Sequence, residues 1–356
     1  MYLIFKLILF QLFVVTASTY GICGDASSLY NGTWKFGDKI EVTENKPYST
    51  CPQTLYTVQQ NWAIRDHPQK WSCMNKTYIA AEFQSSSCHT LSLKDSFRHI
   101  GKTHITFLGD SLIGQLYIAS MCAAEKEGIS SDHLEFHYLH ETLLRSDLPC
   151  APRCITDAAY RNQSLLIHPC FACFDGIKRH FEADFYNLSK FWPLKVLHNT
   201  SALILGAGAW YNAYRSLINA SSVYNDTLQK IGPFLGKLKK ERGINVFWLD
   251  LPPMANQSLI HPDFGWQQFL QYNQAARFFL EPFGVIYLDT SSATRIRKYK
   301  DPNITDSSFL HWCNPGRDTV PLFQARSIFH ILAVDALQKK NNLNTINTTQ
   351  QQSHKH

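Results

Sequence analysis

From residue 101 onward, short apolar runs alternate with longer stretches of mixed polarity. The runs at 104–108, 201–205, 244–249 and 284–288 are nearly continuous in hydrophobic residues. A strand with one wet face would alternate instead, so these four predict strands buried on both faces. Between and after them, 111–127, 223–242, 266–280 and 318–339 carry helical periodicity. Buried strands alternating with helices predict an α/β fold with a parallel sheet covered on both faces. The stretch 129–200 is less regular. It offers 134–139 as one further strand, together with cysteine-rich loops. Residues 22–100 are loop-rich, and the polar tail at 340–356 is expected to be disordered. No internal repeat interrupts this order. The expected organisation is a signal peptide at 1–21, a cysteine-rich region at 22–100 packed on an α/β domain at 101–339, and the tail.

The first segment reads as an address. An apolar run at 7–15 follows Lys6 and precedes the small residues Thr16, Ala17, Ser18 and Thr19. That is the layout of a secretory signal peptide, and the run is short for a bilayer span. A type II anchor beginning at Tyr2 is the alternative. No later segment is expected to cross a membrane. The ten cysteines are even in number and lie mostly in loop-like sequence, as disulfides of an oxidising compartment would. Their pairing is not legible. Asn31, Asn75, Asn162, Asn187, Asn199, Asn219, Asn225, Asn256, Asn303 and Asn347 each open an Asn-x-Ser/Thr sequon, which suggests N-glycosylation. Together these predict a secreted or Golgi-lumenal chain. Apolar content is 45% and net charge +6 over 356 residues. The basic residues are scattered rather than gathered on one element, which argues against a nucleic-acid partner.

Three segments carry candidate chemistry, each at the expected carboxyl end of a strand or before the last helix. Gly109-Asp110-Ser111-Leu112 follows the first strand and opens a helix. Glycine admits the tight turn, and a serine at a helix N-terminus sits among amide donors suited to a developing oxyanion. Gly206-Ala207-Gly208-Ala209-Trp210 follows the second strand, where glycine lets a backbone N–H face a substrate oxygen. Asp306-Ser-Ser-Phe-Leu-His311-Trp312-Cys313-Asn314-Pro315-Gly316 precedes the last helix. A serine hydroxyl needs a positioned imidazole to take its proton, and a carboxylate orients that imidazole. Cys313 offers a disulfide anchor for this block. The bland alternatives are a helix cap at Ser111, an ordinary strand-ending turn at Gly206–Gly208 and a packing histidine at 311.

The order Gly-Asp-Ser, Gly-x-Trp, then Asp with His-Trp-Cys-x-Pro-Gly resembles the PC-esterase branch of the SGNH (GDSL) hydrolase superfamily. That branch includes the plant trichome-birefringence-like polysaccharide O-acetyltransferases. The cysteine-rich region is similar too, through Cys23, Asn31-Gly-Thr-Trp34, Cys51, Trp71-Ser-Cys73 and Cys88, as is Leu288-Asp289-Thr-Ser. The resemblance implies a three-layer α/β/α flavodoxin-like domain with a disulfide-bonded cap. It implies Ser111 as nucleophile, His311 as general base and acid, and an oxyanion hole at Ser111 and Gly208 with Asn212 as a further candidate. Trp210 and Trp312 are the candidate sugar-binding aromatics. No metal or cofactor is implied; the acyl donor, acetyl-CoA or another acetyl ester, is a substrate. The partner is a glycan or polysaccharide, and a monomer is expected.

The chain departs from the family pattern at two places. The family spaces its acid as Asp-x-x-His, whereas Ser308 stands three before His311 and Asp306 five before. Asp306 is the candidate orienter, with Asp289, Asp301 or a backbone carbonyl as alternatives. The plant enzymes have an arginine after the serine block, where this chain has Leu112-Ile113-Gly114-Gln115. His168-Pro-Cys170-Phe-Ala-Cys173 reads as a zinc half-site, a redox pair or, in a lumenal chain, structural disulfides. Three functions follow: a carbohydrate O-acetyltransferase, favoured by the N-terminal cysteine pattern; an acyl esterase; or an inactive glycan-binding relative, suggested by the irregular Asp-to-His spacing.

Overall fold

The structure is a computed structural model that describes residues 21–41, 51–54, 56, 77–86, 88–100, 103–109, 111–129, 134–140, 200–208, 220–252, 266–300, 312 and 320–353. Along the chain come α1 (Ala26–Tyr30), β1 (Gly32–Glu41), β2 (Thr77–Ser85), α2 (Leu93–Ile100), β3 (Thr103–Gly109), α3 (Ser111–Lys126), β4 (Leu134–His140) and β5 (Ala202–Gly206). There follow α4 (Ala220–Arg242), β6 (Asn245–Leu249), α5 (Trp266–Leu280), a 3-10 turn at Glu281–Phe283, β7 (Ile286–Leu288), α6 (Thr290–Lys300) and α7 (Val320–Ser353).

Strands β3 to β7 form one parallel sheet in the order β4-β3-β5-β6-β7. Numbered within that sheet the order is 2-1-3-4-5, so the direction of winding reverses between β3 and β5. A crevice opens outside the strand ends at such a switch point. Both faces of the sheet are buried, as the continuous apolar runs require. Ile105, Phe107, Ala202, Ile204, Phe247 and Leu249 point to one side, where they share a core with Ile113 and Leu116 of α3 and Ala325, Ile328 and Phe329 of α7. The alternate residues Leu203, Leu205, Val246 and Trp248 are buried as well. The mixed α/β character and the parallel sheet agree with the sequence reading, and β4 fills the 134–139 candidate.

The cysteine-rich region is more ordered than its sequence suggests. β1 and β2 pair antiparallel, with an irregularity between Phe36 and Lys39. Among the described residues two disulfides hold the region: Cys23–Cys88 within it, and Cys51–Cys122 from it to α3. They close loops of 65 and 71 residues, worth about 4 kcal/mol each in the chain-entropy model. Glu125 reinforces the second link, because its carboxylate accepts from the backbone N–H groups of Gln53 and Thr54 and from the Thr54 hydroxyl. Cys23, Leu29, Tyr30 and Phe97 lie in the same core as β3 and α7. The region is therefore part of one packed unit.

His330 of α7 seals this seam. Its Nδ1 accepts from the Leu91 amide at 3.0 Å, which fixes the tautomer, and Nε2 then donates to the Cys23 carbonyl at 2.8 Å. Burial holds the imidazole pKa below its ordinary value.

Two expectations need correction. The last helix does not stop at Lys339, and 340–353 is helical rather than disordered. No glycine or proline occurs between Ala325 and Ser353 to end it. One later segment, Val320–Asn342, is also long and apolar enough to span a bilayer by composition. However, 61% of its most apolar window is buried inside the protein, and Ala325, Ile328, Phe329 and Ala333 face the core. It reads as a core helix.

The His330 pair sets a pH dependence. The unfolded chain takes up the imidazole proton near pH 6.5 and the folded chain only below that. The contribution is fully present above about pH 6.5 and is lost as pH falls toward the lowered folded value. Melting temperature should drop on acidification through this range, and the drop should be smaller in His330→Gln.

Candidate functional site

The carboxyl ends of the strands form a rim, and the described segments that leave β3, β5, β6 and β7 are fixed by a side chain or by close packing. At the switch point the fixing is steric. Gly109 ends β3 opposite Gly206 of β5. A Cβ on Gly109 would stand 2.2 Å from the Gly206 carbonyl oxygen and 2.5 Å from Ile113. One on Gly206 would meet Ile113 at 2.7 Å. Both glycines are required because the first turn of α3 comes down on the strand ends. Ser111 is the first residue of that helix, separated from the end of β3 by a single residue. The first-turn amides of a helix lack intrahelical acceptors, so the positive end of α3 opens at the crevice.

Beside it, Ala207 and Gly208 continue from β5. The Tyr224 hydroxyl donates to the Ala207 carbonyl at 3.1 Å, and its ring packs on Tyr272 at 4.4 Å. Gly208 has φ +139°, where a side chain is strained. A Cβ there would also stand 2.6 Å from Leu251. The glycine expected at the oxyanion hole therefore occupies a position that only glycine fits, against Leu251 and Tyr272.

The exit from β6 is held twice. The Asn273 amide grips Leu251, accepting from its N–H at 2.8 Å and donating to its carbonyl at 3.0 Å. Asp250 is fully buried and caps α6: it accepts from the Thr290 N–H, the Thr290 hydroxyl and the Ser291 N–H at 3.1, 2.6 and 2.6 Å. Burial pushes its carboxyl up to about 7, against these hydrogen bonds, which favour the ionised form. Gln324 of α7 donates to the Thr290 hydroxyl and ties the cap to the last helix. Asp289, an alternative partner for the histidine, lies within reach of the Ser292 amide at 3.4 Å and 3.9 Å from Arg277.

The histidine block touches this rim through Trp312. Gln115, one turn along α3 from Ser111, donates to the Trp312 carbonyl at 2.7 Å and accepts from the Trp312 N–H at 3.1 Å. The Trp312 indole is 2% exposed and packs with Trp34, Ala81 and Val320. The expectation that Trp312 contacts sugar is therefore corrected: its ring is core, because the cysteine-rich region lies over it. Trp34 in turn donates from its indole N–H to the Ala293 carbonyl of α6 at 2.7 Å. Asp110, Trp210, Asn212, Asp306, His311, Cys313 and the His168–Cys173 motif lie outside the described residues. For Ser111 the helix position alone is described. Among the described residues no group of three or more His, Cys, Asp or Glu side chains is arranged to hold a metal.

Sequence reasoning passed over Gln115, Asn273 and Asp250. Each left a signal. Gln115 is a lone amide among Leu112, Ile113, Leu116 and Tyr117, and Asp250 ends a buried strand directly before Leu-Pro-Pro. No family model and no curated protein matches the chain.

Two variants probe the rim. Gly109→Ala sets a methyl against a backbone oxygen that cannot swing aside and should cost about 2–3 kcal/mol in urea unfolding. Asp250→Ala strands three buried donors and should cost about 2–4 kcal/mol in the same assay at pH 7.

Proposed function

We propose that the chain is a serine acyltransferase of the SGNH type, with a three-layer flavodoxin-like domain, that moves an acetyl group onto a carbohydrate hydroxyl. The observation that carries this reading is the position of Ser111, first in a helix that opens at the switch point of a parallel sheet. The strand order supports it, and so does the neighbouring glycine segment at positive φ. The Gln115 link supports the pairing of the serine and histidine blocks.

In this reading the Ser111 hydroxyl attacks the donor's acyl carbon while His311 takes its proton, with Asp306 orienting the imidazole. The α3 amides and the Gly208 segment stabilise the tetrahedral oxyanion, and Asn212 adds a donor. Collapse releases the donor's leaving group, which receives the proton from His311. A sugar hydroxyl, held on Trp210, then gives its proton to His311 and attacks acetyl-Ser111. The oxyanion collapses, and the proton returns to the serine oxygen. The two disulfides support folding in the secretory pathway. N-glycosylation and action as a monomer on a glycan partner belong to the same reading.

The test uses wild-type and Ser111→Ala protein from a secretory host, an activated acetyl ester and a panel of oligosaccharides, with products followed by mass spectrometry. Acetylated sugar should form with wild type and fall at least about a thousandfold in the variant. Free acetate alone, lost in the variant, would identify an esterase instead. Equal behaviour of the two proteins would overturn the serine mechanism.

A further inference from the structure

We infer that Gln115 is a positioning residue, which sets the general base against the nucleophile by clamping the backbone of the residue that follows the histidine. The inference rests on the serine-enzyme reading above and adds to it the part that brings the two blocks into register.

The sequence and geometry make Gln115 unusual. It is 1% exposed, in a stretch of helix where Leu112, Ile113, Leu116 and Ala119 are buried as well. An amide in such surroundings is costly unless both its ends are bonded. Here both ends meet one residue, the oxygen at the Trp312 N–H and the nitrogen at the Trp312 carbonyl. Two bonds to the N–H and C=O of a single residue fix its distance from α3 and also its rotation about the chain. A single bond would leave that rotation free.

Spacing gives this clamp its consequence. Residues four apart lie on one helix face, about 6 Å apart along the axis. Gln115 is four residues from Ser111. On the other side, the Cα of His311 is held about 3.8 Å from that of Trp312 by the peptide bond between them. Trp34, Ala81 and Val320 lock the Trp312 indole, so the clamped residue is anchored by side chain and backbone alike. The serine and the base thus share a short rigid route through α3, Gln115 and Trp312. The glutamine amide does not titrate and is sealed from solvent, so its role is to place the imidazole.

The experiment uses the full-length secreted protein and its Gln115→Met, His311→Ala and doubly substituted forms. Ser111 modification by a fluorophosphonate is timed by mass spectrometry across pH. Gln115→Met should slow labelling about 10- to 100-fold, the scale expected of a misplaced reacting group. It should also flatten the rise in rate through the imidazole range. In the His311→Ala background the same substitution should change the rate less than about threefold, since groups acting as a unit are not additive. Hydrogen exchange at the Trp312 amide should quicken in Gln115→Met. If that protein fails to fold, Gln115→Glu, which retains an acceptor for the Trp312 N–H, serves in its place and should show the same non-additivity with His311→Ala.

Labelling at the wild-type rate, or an equal fold loss with and without His311, would overturn the inference while leaving the serine mechanism intact. Wild type that never labels at Ser111 would instead overturn the serine reading, and this inference with it.

Discussion

The close approach of α3 to the carboxyl ends of β3 and β5 is the constraint on which the rest depends. It exists because Gly109 and Gly206 face each other in register and neither has a side chain. Ile113 fills the space above them, and the helix starts directly from the strand. A parallel sheet that reverses its winding between these strands leaves a crevice there, and the helix delivers its positive end to that crevice. Any larger residue at 109 or 206 would push the helix away and take the serine with it.

Around that contact the fold repeats one solution. Segments leaving the rim carry backbone groups that no strand or helix satisfies, and buried side chains supply the partners. Gln115 holds Trp312, Asn273 holds Leu251, Tyr224 holds Ala207, and Asp250 caps Thr290 and Ser291. Two of these are primary amides bound to both the N–H and the C=O of one residue, which makes loop backbone as fixed as ladder backbone. The cysteine-rich region completes the arrangement from outside. Trp34 lies on Trp312 and bonds to Ala293, while Cys51–Cys122 ties the region to the helix that Ser111 opens. The region thus braces Trp312 as well as covering the core.

Much of this was legible in the sequence, for identifiable reasons. Buried parallel strands announce themselves as unbroken apolar runs, and all four of the clear ones form strands within two residues of the expected bounds. The glycine pair and the serine helix were readable because a tight strand-to-helix exit restricts residue choice. α6 was not anticipated, because Thr-Ser-Ser-Ala-Thr carries little apolar periodicity and the helix depends on the distant cap Asp250. β1 and β2 were hidden because their pairing spans a long connection and their exposed faces are mixed. Trp312 was assigned to substrate because sequence gives an aromatic's chemistry but not what lies over it. The helix beyond Lys339 is masked in the sequence by its polar composition, although no glycine or proline in the segment stops a helix.

The central claim is that an acyl group passes through the Ser111 oxygen. The most direct measurement is rapid quenching of wild-type protein mixed with an activated acetyl ester, followed by peptide mass spectrometry of the segment around residue 111. The account predicts one acetyl group on Ser111 that appears faster than product accumulates and disappears when an acceptor sugar is added. Turnover of the donor with Ser111 unmodified at every time point, and undiminished in Ser111→Ala, would contradict it.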